Sequence, residues 1–436
     1  MRILIATDVF PPWCGGSGWS AFHLARGLAD RGHVVEIVKP LPGARGMRDR
    51  VYEGLPVTEF GLHAPGLPFV RNYLKSERFT RRFARYLTGR LTVRPVDLVH
   101  AQHVMTVPPA VLAARRTGTA SVVTIRDYWP LCYWSDLLVG ERQCPGCSAT
   151  GMVRCLAPRT GLGWPLSLAM IPYMRANLRR KRTAVFEADA VVAVSARIAQ
   201  DLRERAPGID RATRLVQIPN FVDADRLDAV AATEPALTLV RPFALYAGKL
   251  APNKGVGALI DALADHQFPW PLLVAGAGPA RAMMEQRARA RRADVRFLGW
   301  MEPDEVARLM ARASLLLFPS RGPESLSRVL LEAGALGVPI AAIDTGGTGD
   351  IVRHDQTGLL SRTTDELAGQ ATRLAADDRL RARLGAAARV DVRERFARAA
   401  VLDRIEALYR EVLQASASDG GTPRPDGGTH VTPAST

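Results

Sequence analysis

Two lysines, two glutamates and several glycine turns in the second half of the chain are the residues that could do chemistry together. Lys249 and Lys254 flank the glycine-bearing segment GKLAPNKG (248–255), where a strand-like run gives way to a helix-like one. Two ammonium groups beside Gly248 could neutralise a diphosphate. Glu324 and Glu332 fall within FPSRGPESLSRVLLEAGALGVP (318–339). Its apolar run, Leu315 to Phe318, reads as a buried strand stopped by Pro319-Ser320. Leu326, Val329, Leu330 and Ala333 then mark one face of a helix closed by Gly337 and Pro339. On this reading the amides of Ser325, Leu326 and Ser327 are unpaired helix-start donors. Together with the positive end of the dipole they suit an anion or a developing negative charge. Glu324 stands at the helix mouth and Glu332 about two turns further on, about 80° round the axis, so both can serve one crevice. Taken alone, a pair of acids at this spacing reads more readily as the surface of an amphipathic helix. The neighbouring segments carry the functional reading.

AGAGPA (275–280) supplies one such segment, with Gly276 and Gly278 letting backbone approach a ligand closely. Its proline excludes a dinucleotide fingerprint. DTGGTGDIV (344–352) and HDQTGLL (354–360) add further glycine turns.

These segments need a scaffold, and alternation of strand-like and helix-like runs provides one. In the first half, strands are expected at Arg2 to Thr7, Val34 to Val38, Leu98-Val99, Ser121 to Ile125 and Ala190 to Val194. A loop with Gly15, Gly16 and Gly18 and a helix through Ala21, Leu24, Ala25 and Leu28 follow the first strand. LVQIPNFVD (215–223) leaves this half, and Ala224 to Arg241 reads as a linker. A second series runs through Phe243 to Ala247, Leu272 to Ala275, Val295 to Leu298, Leu315 to Phe318 and Ile340 to Ile343. The fold class is α/β: two doubly wound domains in tandem, with ligand expected between the carboxyl ends of facing strands. The boundaries are 1–222, with a cysteine-bearing loop at 130–160, then 223–395, a crossing helix at 396–414 and a disordered tail at 415–436.

The 436 residues are 47% hydrophobic and 23% charged, ordinary for a globular protein with sizeable cores. No apolar run spans a bilayer, and MRILIATDVF lacks a cleavage site, so a cytoplasmic protein is expected. A formal charge of +15 invites nucleic acid, an anionic membrane face or a phosphorylated substrate. Residues 69–94 and 162–182 mix apolar and basic residues in the manner of a peripheral membrane surface, or equally of an Arg-rich surface over core helices. Cys132, Cys144, Cys147 and Cys155 lie within 24 residues, CPGC (144–147) has the spacing of a zinc knuckle, and Cys14 stands apart. Structural zinc and free buried thiols are the two readings. A zinc-containing nucleic-acid binder is the competing function, disfavoured because it leaves the two-glutamate segment unexplained.

The order and spacing of PPWCGGSGWS, DLVHAQH, TIRDYWPLC, AVVAVS, IPNFVD and the second-half segments resemble the retaining glycosyltransferases of family 4, the group 1 glycosyltransferases with the GT-B fold. The resemblance covers nearly the whole chain. It implies sugar transfer from a nucleotide diphosphate of UDP or GDP type to a lipid-linked, cell-envelope or polysaccharide acceptor, with retention at the anomeric carbon. By the same resemblance Glu324 contacts hydroxyls of the transferred sugar, Glu332 the ribose, Lys249 and Lys254 the diphosphate, and Gly16 the phosphates. Phe297 to Trp300 borders the base, and the last helix crosses back to the first domain. On this reading the chain offers no Asp-x-Asp pair, and transfer without a metal is expected. One position departs from the pattern: TIRDY (124–128) has Arg126 where the family generally has histidine. Arginine is no base at neutral pH. Arg126 therefore binds an acidic group on donor or acceptor, or is turned away, or marks a silent partner subunit. His100 and His103 are the histidines that could substitute, or are plain polar lining.

Overall fold

Short runs of aliphatic residues become central strands here because helices cover both faces of each sheet. The computed structural model describes residues 1–63, 77–140, 142–144, 146–160, 168–238 and 241–418. The first sheet has eight strands, in spatial order Arg214–Gln217, Ala190–Ala193, Ala120–Ile125, Leu98–Ala101, Arg2–Ala6, Val34–Pro42, Leu55–Leu62 and Met47–Tyr52. All pair in parallel except the edge strand Met47–Tyr52, which runs antiparallel to Leu55–Leu62. The second sheet is wholly parallel, in the order Val295–Gly299, Leu272–Ala275, Ala244–Ala247, Leu315–Phe318, Ile340–Ile343, Leu359–Ser361. Its winding reverses between Ala244–Ala247 and Leu315–Phe318. The loops that follow these two strands lead away on opposite sides and leave a crevice at their carboxyl ends. They are the loops that carry Lys249, Lys254 and Glu324.

The two-sheet architecture is the one expected, and so is the return of the last helix. Arg398–Ser418 inserts Val401, Leu402, Ile405, Leu408, Tyr409 and Val412 into the core that holds Ile3, Leu24 and Leu98. Gly27 on the helix Gly16–Asp30 makes room, since a β-carbon there would lie 2.8 Å from Leu402 Cδ1. Polar contacts fix the register: Tyr409 Oη lies 2.6 Å from His100 Nδ1, and His33 Nε2 lies 3.0 Å from Glu406 Oε1.

Elsewhere the structure differs from the sequence reading. Val34–Pro42 is longer than expected, and the hairpin Met47–Tyr52 with Leu55–Leu62 had no expectation. The linker contains a helix, Ala224–Ala231, capped by the Asp223 side chain accepting from the Arg226 amide and anchored by buried Leu227. The final helix runs to Ser418, so Ala415 to Ser418 is helical and not tail. Residues 419–436 of the expected tail lie outside the described residues, as do 69–76 and 162–167 of the two basic stretches. The described parts of those stretches form the helices Phe79–Val93 and Met170–Phe186. Phe79, Phe83, Leu87 and Leu91 are buried in a core with Leu4, Val99 and Val111, and Met174 and Leu178 in a smaller cluster, so these apolar faces are used inside the protein. Among the described residues no helix is long and apolar enough to cross a membrane.

His100 gives a pH test of the helix return. Burial first, then the nearby Arg126 charge, pushes its pKa down to about 3, whereas an unfolded histidine protonates near 6.5. The neutral ring's contribution is intact above about pH 6.5 and is lost as pH falls from there towards 3. The stability gap between the wild type and His100→Gln, followed by urea denaturation, should therefore narrow by about 2 kcal/mol from pH 7 to pH 5. A gap that stays constant would contradict the buried neutral ring.

Candidate active site

A cleft of about 770 Å³ opens between the two halves, at the carboxyl ends of the central strands. Lys249, Lys254, Glu324 and Glu332 all line it. So do Gly16, Arg126, Gly248, Gly276, Ser325, Leu326 and Ser327, with Trp300 and Met301 from the segment after Val295–Gly299. Gly278 does not: a β-carbon there would stand 2.1 Å from the Leu250 carbonyl oxygen, so this glycine serves packing of its own turn. Phe297 likewise packs against the second core.

Backbone contact positions the loops. At Gly276, with φ of +152°, a β-carbon would lie 1.8 Å from the Gly248 carbonyl oxygen, so the two turns touch main chain to main chain. Glu324 is held in the same manner. Gly346 has φ of +57°, and a β-carbon on it would come 2.0 Å from the Glu324 carbonyl oxygen, which also accepts from the Gly347 amide at 2.7 Å. The DTGGTG turn is thus a platform for Glu324. Its carboxylate accepts from Lys254 Nζ and Ser320 Oγ, both at Oε1. This ties the loop after Ala244–Ala247 to the loop after Leu315–Phe318. Lys249 is exposed and has no ion pair among the described residues.

The helix after Glu324 begins later than expected. It spans Arg328–Leu336, with Ser327 at its cap, so Leu326 and the amides of Ser325 to Ser327 belong to the approaching loop. Pro323 and the two serines favour turn over helix, which moves the start. Glu332 does lie on the helix, and Arg328 Nη2 donates to its Oε1 at 2.9 Å. Sequence reasoning passed over Arg328, although its spacing of four from Glu332 signals such a pair.

Arg126 is 9% exposed and faces the cleft. Its Nε and Nη2 donate to Gln102 Oε1 at 3.3 and 3.0 Å, and Nη1 donates to Asn220 Oδ1. Asn220 Nδ2 in turn donates to the Leu326 carbonyl at 3.4 Å, linking the halves across the cleft floor. Burial first, then Arg328, brings the Arg126 pKa down to about 9, which leaves it charged at neutral pH. His23 also lines the cleft, and burial with the Arg328 charge holds it neutral. His100 and His103 do not line it. His100 bonds Tyr409 and Thr124, and His103 Nδ1 lies 2.9 Å from Thr7 Oγ1. At the rim, Trp13 meets Trp300 across the two halves, with ring centroids 4.9 Å apart.

An Asp-x-Asp triplet does occur, at Asp223-Ala224-Asp225, and sequence reasoning missed it. Asp223 caps the helix Ala224–Ala231 and approaches Arg398 at 3.6 Å, and Asp225 is exposed. The cysteines do not form the expected four-ligand set. Among the described residues no group of three or more His, Cys, Asp or Glu side chains is placed to hold a metal ion, and none of the five cysteines is joined in a disulfide. Cys147 hydrogen-bonds Cys132, and that bond lowers the Cys132 pKa. Cys144 Sγ meets its own loop at the Gly146 carbonyl, 3.4 Å away, and Cys155 is buried on the helix Ala149–Thr160. Burial pushes the Cys14 thiol, which lines the cleft, up to about 12.

Two family models match adjoining lengths of the chain: Glycosyltransferase Family 4 over residues 14–226 and Glycosyl transferases group 1 over residues 234–391. The chain is 31% identical over 247 residues to the alpha-D-kanosaminyltransferase of Streptomyces kanamyceticus, a match covering 53% of this chain and 63% of that protein. It thus spans less than two thirds of that relative's length. It superposes on sucrose-phosphate synthase from Thermosynechococcus elongatus with a TM-score of 0.73 at 20% identity, over 95% of this chain and 100% of that one. HepE of Anabaena, solved with UDP-glucose, gives a TM-score of 0.64 at 19% identity over 95% and 100%. These two structural likenesses are of fold.

The platform under Glu324 is testable without a substrate. Gly346→Ala should lower stability by about 1–3 kcal/mol beyond the cost of its positive φ, because its methyl group must displace the Glu324 main chain. Gly32→Ala also has positive φ but nothing within 4 Å of the added carbon, and should lose only about 1 kcal/mol. Equal losses on urea denaturation would contradict the platform.

Proposed function

Because the chain belongs to the family 4 and group 1 glycosyltransferases, we propose that it moves a sugar from a nucleotide diphosphate to a hydroxyl of a glycan or lipid-linked acceptor, with retention. The observation that supports this most is the convergence of Lys249, Lys254, Glu324 and Glu332 on one cleft. In the proposed reaction the bond from the anomeric carbon to the diphosphate breaks while the acceptor oxygen attacks the same face. The acceptor proton passes to the departing phosphate oxygen. Negative charge grows on the diphosphate and oxocarbenium character on the sugar, so a catalyst needs fixed cations and amide donors. Lys249 and Lys254 meet the phosphates, with the amides at Gly16 and in the loop Ser325 to Ser327, and Arg328 joins them. An ammonium about 4 Å from a developing charge is worth about 4 kcal/mol at an effective dielectric of about 20. That corresponds to roughly a thousandfold in rate. Glu324, oriented by Lys254 and Ser320, accepts from hydroxyls of the transferred sugar, and Glu332 from the ribose. Trp300 borders the base.

These protein cations supply the charge a divalent ion would otherwise bring, so transfer is proposed to need no metal. The UDP-glucose in the HepE complex supports a donor of UDP type, with GDP the alternative. We place the protein in the cytoplasm at an anionic membrane face, on the charge of exposed Arg81, Arg82 and Arg85. Zinc on Cys132, Cys144, Cys147 and Cys155 would require further ligands beside the Cys132–Cys147 pair, and among the described residues no group of three is placed to hold a metal; metal analysis should return substoichiometric zinc.

Donor hydrolysis and transfer assays across UDP- and GDP-sugars test the proposal. Lys249→Ala and Glu324→Ala should each lower kcat/KM by about 10²–10³-fold, and EDTA should leave the wild-type rate unchanged. Full activity in both variants, or EDTA loss restored by manganese, would contradict it.

A further inference from the structure

Beside the main cleft lies a recess of about 30 Å³ that shares Ser20, His23, Arg126, Asn220 and Arg328 with it. Two guanidinium groups line it, Arg126 and Arg328, and the remaining lining is neutral: apolar walls such as Val192, Ile218 and Phe221, with Thr124 and Asn220. No carboxylate lines it among the described residues. Arg328 has its ion pair with Glu332 on the cleft side. Among the described residues Arg126 has only the neutral amide oxygens of Gln102 and Asn220, which use three of its five N–H donors. A buried cation without an anion is costly, and apolar walls strengthen its pull on one. The volume admits a water or a group of a few heavy atoms, not a sugar ring. A planar fork with donors to spare matches a carboxylate.

We infer that the recess between Arg126 and Arg328 is the subsite for a carboxylate carried by one of the two sugar substrates, making this a transferase for a uronic-type residue or onto one. The inference rests on the glycosyl-transfer reading of the cleft. Depression of the Arg126 pKa by burial and by Arg328 agrees with a pocket of excess positive potential. The neutral state of His23 has the same origin. Arg126 then sets specificity by a charge the substrate must bring, in the position where a histidine would accept neutral sugars.

Calorimetry in chloride-free buffer with UDP-glucose against UDP-glucuronate, and GDP-mannose against GDP-mannuronate, tests the donor as the source. Transfer to glucuronide-terminated against glucoside-terminated acceptors tests the acceptor. The acidic member should be preferred at least roughly tenfold on one of the two substrates, which also identifies the source. Arg126→Gln should bring that ratio close to unity, and Arg126→Lys, which keeps the charge and loses the fork, should retain an intermediate ratio. If nucleotide sugars bind but neither ratio reaches tenfold, or if both variants keep the wild-type ratio, the subsite is overturned while the cleft reading stands. If no nucleotide diphosphate sugar binds, the cleft reading falls and the subsite with it.

Discussion

The reversal of winding between Ala244–Ala247 and Leu315–Phe318 is the constraint on which the site depends. Neighbouring strands in a parallel sheet normally send their following loops the same way, and those loops pack on one another. At a reversal they part, and the opened crevice exposes helix-start amides and loop side chains to whatever faces them. Here one loop brings ammonium groups and the other brings Glu324. The Lys254–Glu324 pair joins what the topology separates. Glycine makes this junction sterically feasible, since Gly276 rests on Gly248 and Gly346 on Glu324 with no space for a side chain.

The first half supplies the opposite wall and a rigid link to the second. The helix Arg398–Ser418 belongs to the first core although it follows the second sheet in sequence, so the two halves are bound at both crossings of the chain. At the cleft floor, Arg126, Asn220 and the Leu326 carbonyl form a hydrogen-bonded line from a first-sheet strand end to the loop before Arg328. At the rim Trp13 and Trp300 meet. A ligand in the cleft would therefore touch groups whose positions are set from both halves, which suits a reaction that must align two substrates.

Much of this could be read from the residues alone, for identifiable reasons. Strands buried on both faces appear as unbroken aliphatic runs, and Leu272–Ala275, Leu315–Phe318 and Ile340–Ile343 were legible to the residue. The lysines and glutamates were legible because their loops have characteristic spacing. Features that depend on distant partners were not. Trp13 and Asn220 sit in segments quoted for the resemblance, yet nothing local shows what they touch, since those contacts lie some hundred or more positions away in the chain. The helix Ala224–Ala231 hid in an alanine-rich stretch because its capping Asp223 was read as the end of another segment. For the aromatic and basic stretch at 69–94 both a bilayer and a core stayed open, because periodicity cannot tell an apolar face that meets lipid from one that meets a core; the helix Phe79–Val93 turns its apolar face to a core. The close sequence spacing of the cysteines could not show which of them meet: Cys147 reaches Cys132, and among the described residues no third ligand is placed with them to hold a metal.

The central claim is that Lys249 and Lys254 hold a diphosphate in this cleft. It is tested most directly by titrating UDP and UMP, and GDP and GMP, into the wild type and the Lys249→Ala variant by calorimetry at two salt concentrations. The account predicts that the diphosphate binds more tightly than the monophosphate and more weakly at high salt. In the variant it should lose about tenfold or more in affinity, with the monophosphate affected less. Equal affinity for mono- and diphosphate, unchanged by salt or by loss of Lys249, would contradict it.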